Sequence, residues 1–117
     1  MLIAIVDDDA SFRSAFARAL GACSIDTASF ASGEEFLLSL DGDRPDAVAL
    51  DLNMPGMDGV AVLRGMKAAG VDVPVVAMTA DAGSHLERRA IMQGALACLH
   101  KPFSADEALT VLGPVLR

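Results

Sequence analysis

The chain has 117 residues, 53% of them hydrophobic and 21% charged, with a formal net charge of -7. That length supports one domain with a single core, and the composition argues against disorder. The acidic balance excludes general nucleic-acid binding, which needs a basic surface, and no apolar stretch approaches the roughly 20 residues that cross a bilayer.

The amino terminus lacks the basic region and long apolar core of a signal peptide. Cys23 and Cys98 are far apart and lack metal-type spacing, as expected of free thiols in a reducing compartment. A cytoplasmic protein without membrane contact is the expectation. The excess acid has two readings that composition does not separate: a surface for cationic partners, or a metal site drawing on Asp7, Asp8, Asp9 and Asp51.

The first apolar run, Leu2-Ile3-Ala4-Ile5-Val6, reads as a buried strand that stops at Asp7-Asp8-Asp9. Phe12, Phe16 and Leu20 then recur every four residues and predict the buried face of a helix ending near Gly21, capped by Asp9 or Ser11. Ile25 to Phe30 is short and roughly alternating, the pattern of an edge strand with one wetter face. Ser32-Gly33-Glu34-Glu35 has the form of a capping box and predicts a helix over about 33–40, with Phe36, Leu37 and Leu40 on its apolar side.

A turn over Asp41-Gly42-Asp43-Arg44-Pro45 leads into the central run Ala47-Val48-Ala49-Leu50, which ends at Asp51. Val60, Leu63, Met66 and Gly70 fall on one side of the next helix, and Gly70 closes it. The fourth strand begins at Pro74 and ends at Thr79; its helix carries Leu86, Ala90 and Gln93 on one side before Gly94. The fifth strand, near 96–100, runs into Lys101-Pro102. A second capping box, Ser104-Ala105-Asp106-Glu107, opens a last helix that Gly113-Pro114 ends or kinks.

Five strands alternating with five helices imply a doubly wound α/β domain with a parallel sheet, spanning 1–117 with no second or output domain. Right-handed crossovers bring the strand ends to one edge, with neighbours about 4.8 Å apart. Asp51 then lies within side-chain reach of groups from the first, fourth and fifth strands.

Carboxylates gathered there repel by about 1 kcal/mol per pair at 4 Å in water, and more when partly buried. A hard divalent cation offsets that repulsion, and magnesium suits a shallow site that keeps waters and leaves a place for a phosphoryl oxygen; manganese is the alternative. Asp8 and Asp51 are the expected direct ligands, with Asp7 nearby or acting through water. Asp51 is the candidate nucleophile toward phosphorus, forming an aspartyl phosphate. Lys101 is placed to pair with that carboxylate or the new phosphoryl group, and the Thr79 hydroxyl to donate to a phosphoryl oxygen.

The set Asp7-Asp8, Asp51-Leu52-Asn53-Met54-Pro55-Gly56-Met57-Asp58-Gly59, Thr79-Ala80 and Lys101-Pro102-Phe103 resembles the receiver domain of two-component response regulators, over essentially the whole chain. The resemblance implies a flavodoxin-like (βα)5 fold with strand order 2-1-3-4-5. It also implies Asp51 as phosphoacceptor, fed by a sensor histidine kinase, a histidine phosphotransfer protein or small acyl phosphates. Asp8, Asp51 and the Asn53 backbone carbonyl would hold magnesium, and a cis Lys101-Pro102 bond would orient the lysine. Asn53 and Asp81 would tune phosphoryl lifetime. Beyond catalysing its own phosphorylation and dephosphorylation, such a domain is not an enzyme.

One position departs from the family pattern. Cys98 stands three residues before the lysine, where receivers commonly carry an aromatic switch residue; it is read here as a small packed residue, with switching assigned to the Thr79 to Gly83 loop. The face of the fourth helix, fifth strand and fifth helix often carries dimer or effector contacts in the family, so a homodimer and a separate effector both stand open. His85 and His100 are read as an exposed helix start and strand end, without ligand partners. Two other functions compete. A phosphohydrolase with an aspartate nucleophile would need a general acid beside it, where this chain has Asn53. A binding module that is never phosphorylated would leave the whole set of chemical groups without purpose.

Overall fold

The computed structural model describes residues 1–116. Arg117, the last residue of the expected domain, lies outside the described residues. Strands and helices alternate as β1 (Leu2–Val6), α1 (Ala10–Gly21), β2 (Asp26–Phe30), α2 (Gly33–Ser39), β3 (Ala47–Asp51), α3 (Gly59–Ala68), β4 (Val75–Thr79), α4 (His85–Met92), β5 (Ala97–His100) and α5 (Ala105–Leu112). A 3-10 turn over Gly113–Leu116 follows, where Gly113-Pro114 was expected to end the last helix. The sheet is parallel throughout, in the order β2-β1-β3-β4-β5. The expected flavodoxin-like topology is therefore the observed one.

Period-two alternation sorts the strand residues between two cores. Ile3 and Ile5, Ala47 and Ala49, and Val76 and Met78 pack with Phe16 and Leu20 of α1 and with Ala108 and Leu112 of α5. Their neighbours Ala4, Val6, Val48, Leu50, Val75 and Ala77 face the other way, against Phe36 of α2, Val60 and Leu63 of α3 and Ala90 of α4. β3 and β4, covered on both faces, are buried at every residue, whereas edge strand β2 is not.

Local chemistry fixes the helix ends. The Asp9 carboxylate accepts from the amides of Ser11 and Phe12 at 3.0 and 3.2 Å, which makes Asp9 the cap of α1. Ser104 and Glu107 form the complete reciprocal box on α5. On α2 the box is altered: Ser32 accepts from the Glu35 amide, but the Glu35 carboxylate accepts from Ala31, at 3.2 Å, and not from Ser32. Asp58 and Ser84, not singled out from the sequence, cap α3 and α4. Gly70 and Gly94 take positive φ values of 71° and 105° just past α3 and α4, the left-handed stop that glycine adopts without strain. No helix among the described residues is long and apolar enough to cross a membrane.

Candidate functional site

Sheet register brings the chemical groups to one rim. Val6 is level with Leu50, so Asp7 follows β1 where Asp51 ends β3; Asp51 is level with Met78, and Thr79 with His100. The Lys101 amide continues the ladder by donating to the Thr79 carbonyl at 2.7 Å. Asp7, Asp51 and Thr79 are buried, while Asp8 is exposed at the mouth. Asp7, Asp8, Asp9, Asp51, Asn53, Ala80, Asp81 and Lys101 line a shallow cleft. Each residue placed here from the sequence is thus in or beside one pocket.

Carboxylate oxygens of Asp7, Asp8 and Asp51 lie within 4.8 Å of one another. The Lys101 ammonium is 2.5 Å from Asp7 Oδ2 and 3.9 Å from Asp51 Oδ1, and sits 4.1 Å over the Phe12 ring. Its short partner is therefore Asp7, a pairing the sequence did not specify. The other Asp7 oxygen accepts from the Asp9 amide at 2.9 Å, so both oxygens are engaged. Burial first, then repulsion from Asp7, raises the Asp51 carboxyl to about 6, while Lys101 and the Asn53 amide pull the other way.

The Thr79 hydroxyl donates to Asn53 Oδ1 at 2.7 Å and accepts from the Asp81 amide at 3.0 Å. Asn53 in turn donates its backbone amide to Asp51 Oδ1 at 3.2 Å. Its side chain is thus a strut between the β3 loop and β4, a role missed in the sequence because nothing local to Asn53 signals Thr79. The Lys101-Pro102 peptide is cis, as the resemblance implied. The donor set fits a hard dication: three carboxylates converge with one neutralising ammonium, and an exposed Asp8 leaves an open side.

The family model of the response regulator receiver domain matches residues 3–112. The chain belongs to the response regulator receiver family. The receiver is 38% identical to the DNA-binding transcriptional regulator NtrC of Salmonella typhimurium over 95% of its own length and 24% of that protein. It therefore spans about a quarter of that curated relative. A response regulator receiver protein from Burkholderia phymatum matches with a TM-score of 0.85 at 38% identity, over 98% of this chain and 94% of that one. Chemotaxis protein CheY4 of Vibrio cholerae matches with a TM-score of 0.89 at 26% identity, over 98% of each chain. The receiver is accordingly a module of two-component signal transduction.

Cys98 and His100 both lie beside Glu87 of α4. Cys98 does pack against the α2, α3 and α4 side of the core, but it is only half buried. Its thiol is pushed up to about 12 by burial and by the Glu87 carboxylate beside it. His100 is the exposed strand end expected, and it also contacts Glu87 through Nε2. Spacing along the chain gives no sign of this contact, because Glu87 arrives from α4. His85 is exposed at the first position of α4, as expected.

Proposed function

We propose that Asp51 accepts the phosphoryl group, from a sensor histidine kinase, a histidine phosphotransfer protein or a small acyl phosphate. The observation that carries this reading is the buried Asp51 carboxylate, grouped with Asp7 and Asp8 and faced by Lys101. One Asp51 oxygen forms the bond to phosphorus as the bond from phosphorus to the leaving group breaks, giving a mixed anhydride. Asp8, Asp51 and the Asn53 carbonyl would hold Mg2+, or Mn2+ in its place, with Asp7 beside them, its oxygens engaged by Lys101 and the Asp9 amide. When bound, that ion neutralises the carboxylates and the incoming phosphoryl oxygens.

Lys101 steadies the new phosphoryl group by charge. Thr79 donates to it after releasing Asn53, and because the Asp81 amide is anchored on the same hydroxyl, that release reaches the 79–83 loop. Asp81 and Asn53, at the cleft wall, set how water approaches the anhydride. Cys98 offers no ring to swing inward, so the loop carries the response. Ile91, Met92 and Leu96 are exposed apolar residues on and beside α4 and support that side as the partner face, for an effector or a second copy. We read residues 1–117 as one receiver domain acting as a phosphoacceptor and not as a turnover phosphatase, since Asn53 supplies no proton.

Incubation with Mg2+ and acetyl phosphate is expected to add one labile group of about 80 Da by intact mass, the mass of one phosphoryl unit. Asp51→Asn should abolish it. An adduct of full stoichiometry in that variant, or steady turnover of a phosphomonoester, would refute the assignment.

A further inference from the structure

We propose that Glu87, Cys98 and His100 form a second metal site, for a borderline dication such as Zn2+, on the α4 side of β5, apart from the carboxylates of the phosphoryl cleft. Strand alternation creates the separation. Leu99 packs on the α1 and α5 side and Lys101, two residues on, reaches Asp7, whereas Cys98 packs on the α4 side and His100 meets Glu87 there. One donor atom from each of Glu87, Cys98 and His100 lies within 4.8 Å of the other two. Tetrahedral zinc with bonds of roughly 2.0–2.3 Å sets its ligands about 3.5 Å apart, so His100 would swing away from Glu87 to admit the ion, an adjustment within reach of side-chain rotation. The His100 side chain, half exposed, has that freedom and leaves the outer position to water.

The surroundings orient the donors. Glu87 lies in the first turn of α4, where its amide donates to the Ser84 cap at 3.1 Å. Its second oxygen accepts from the Gly83 amide at 2.5 Å, which leaves the first directed at β5. Glu87 also faces the Cys98 thiol, so a carboxylate already stands where a bound dication would need it. Donor chemistry distinguishes this trio from the Asp7, Asp8 and Asp51 group: sulfur and imidazole nitrogen select zinc-like ions, and an all-oxygen set selects magnesium. On binding, the ion replaces the thiol proton, which passes to solvent. Through Gly83, occupancy would tie the loop that follows β4 to β5.

The test uses the full chain with Cys23→Ser, which removes the other, exposed thiol, in excess Mg2+ so that the all-oxygen group is filled. Co2+ is titrated as a coloured stand-in for Zn2+. The expected result is one Co2+ per chain with a near-ultraviolet sulfur-to-cobalt band that Zn2+ displaces. Cys98→Ser should lose the band, and Glu87→Gln and His100→Ala should each weaken binding at least about tenfold. Circular dichroism melts without metal check that each variant folds; His100 is exposed, so its variant keeps the test valid if the Cys98 variant does not fold. No band in the folded parent, or an unchanged affinity in both Glu87→Gln and His100→Ala, would overturn the site.

Discussion

Asp51 shows how one side chain couples stability to chemistry. Its carboxyl, raised from 3.8 to about 6 mainly by burial, keeps its proton to a higher pH in the folded chain than in the unfolded one. Between those values the folded state binds more protons, so in protein stripped of divalent ions this group's contribution falls as pH rises through the window and levels off above it. The cost at neutral pH is about 1–2 kcal/mol after allowance for solvent at the open mouth. Asp51→Asn is expected to raise the midpoint of urea unfolding at pH 7.5 in EDTA, with the gain shrinking toward pH 4. Equal gains at both pH values would show that ionisation in a buried position is not its source.

Among the elements, the junction of β3 and α3 is closed by backbone against backbone. A Cβ built on Gly59 would lie 2.7 Å from the Asp51 carbonyl oxygen and 2.8 Å from Leu52 Cα, both backbone atoms that cannot rotate away. Only glycine lets α3 start this close to the strand end that carries Asp51. Gly59→Ala is expected to cost about 1–3 kcal/mol in urea unfolding and, by shifting Asp51, to weaken Mg2+ binding measured by titration. A variant that lost stability with Mg2+ affinity intact would mean that α3 does not hold the carboxylate in place. Caps such as Asp9 and Ser104 were legible because their signals are local, within the first helical turn. The contact of Glu35 with Ala31 was not, because it depends on the path of the chain entering α2 from β2.

For the whole molecule, with its net charge of -7, the acids gathered at the rim repel one another until a cation offsets them. An ion that binds only the folded state stabilises it by about 2.7 kcal/mol at a hundred times its dissociation constant. Saturating Mg2+ is therefore expected to raise the melting temperature, EDTA to reverse the rise, and Asp8→Ala to remove most of it, as read by differential scanning calorimetry. An undiminished rise in Asp8→Ala would place the ion elsewhere. The sequence by itself determined the five βα units, the strand ends and the positions of Asp51, Thr79 and Lys101 at those ends, because periodicity, caps and run termini are carried by contiguous residues. Only the tertiary structure decided that Lys101 pairs with Asp7, 94 positions away, that Asn53 holds Thr79 across 26 positions, and that Glu87 meets His100. Those partners depend on which helix crosses which strand and on which face of the sheet each side chain leaves. Such relations come from packing, and no local pattern encodes them.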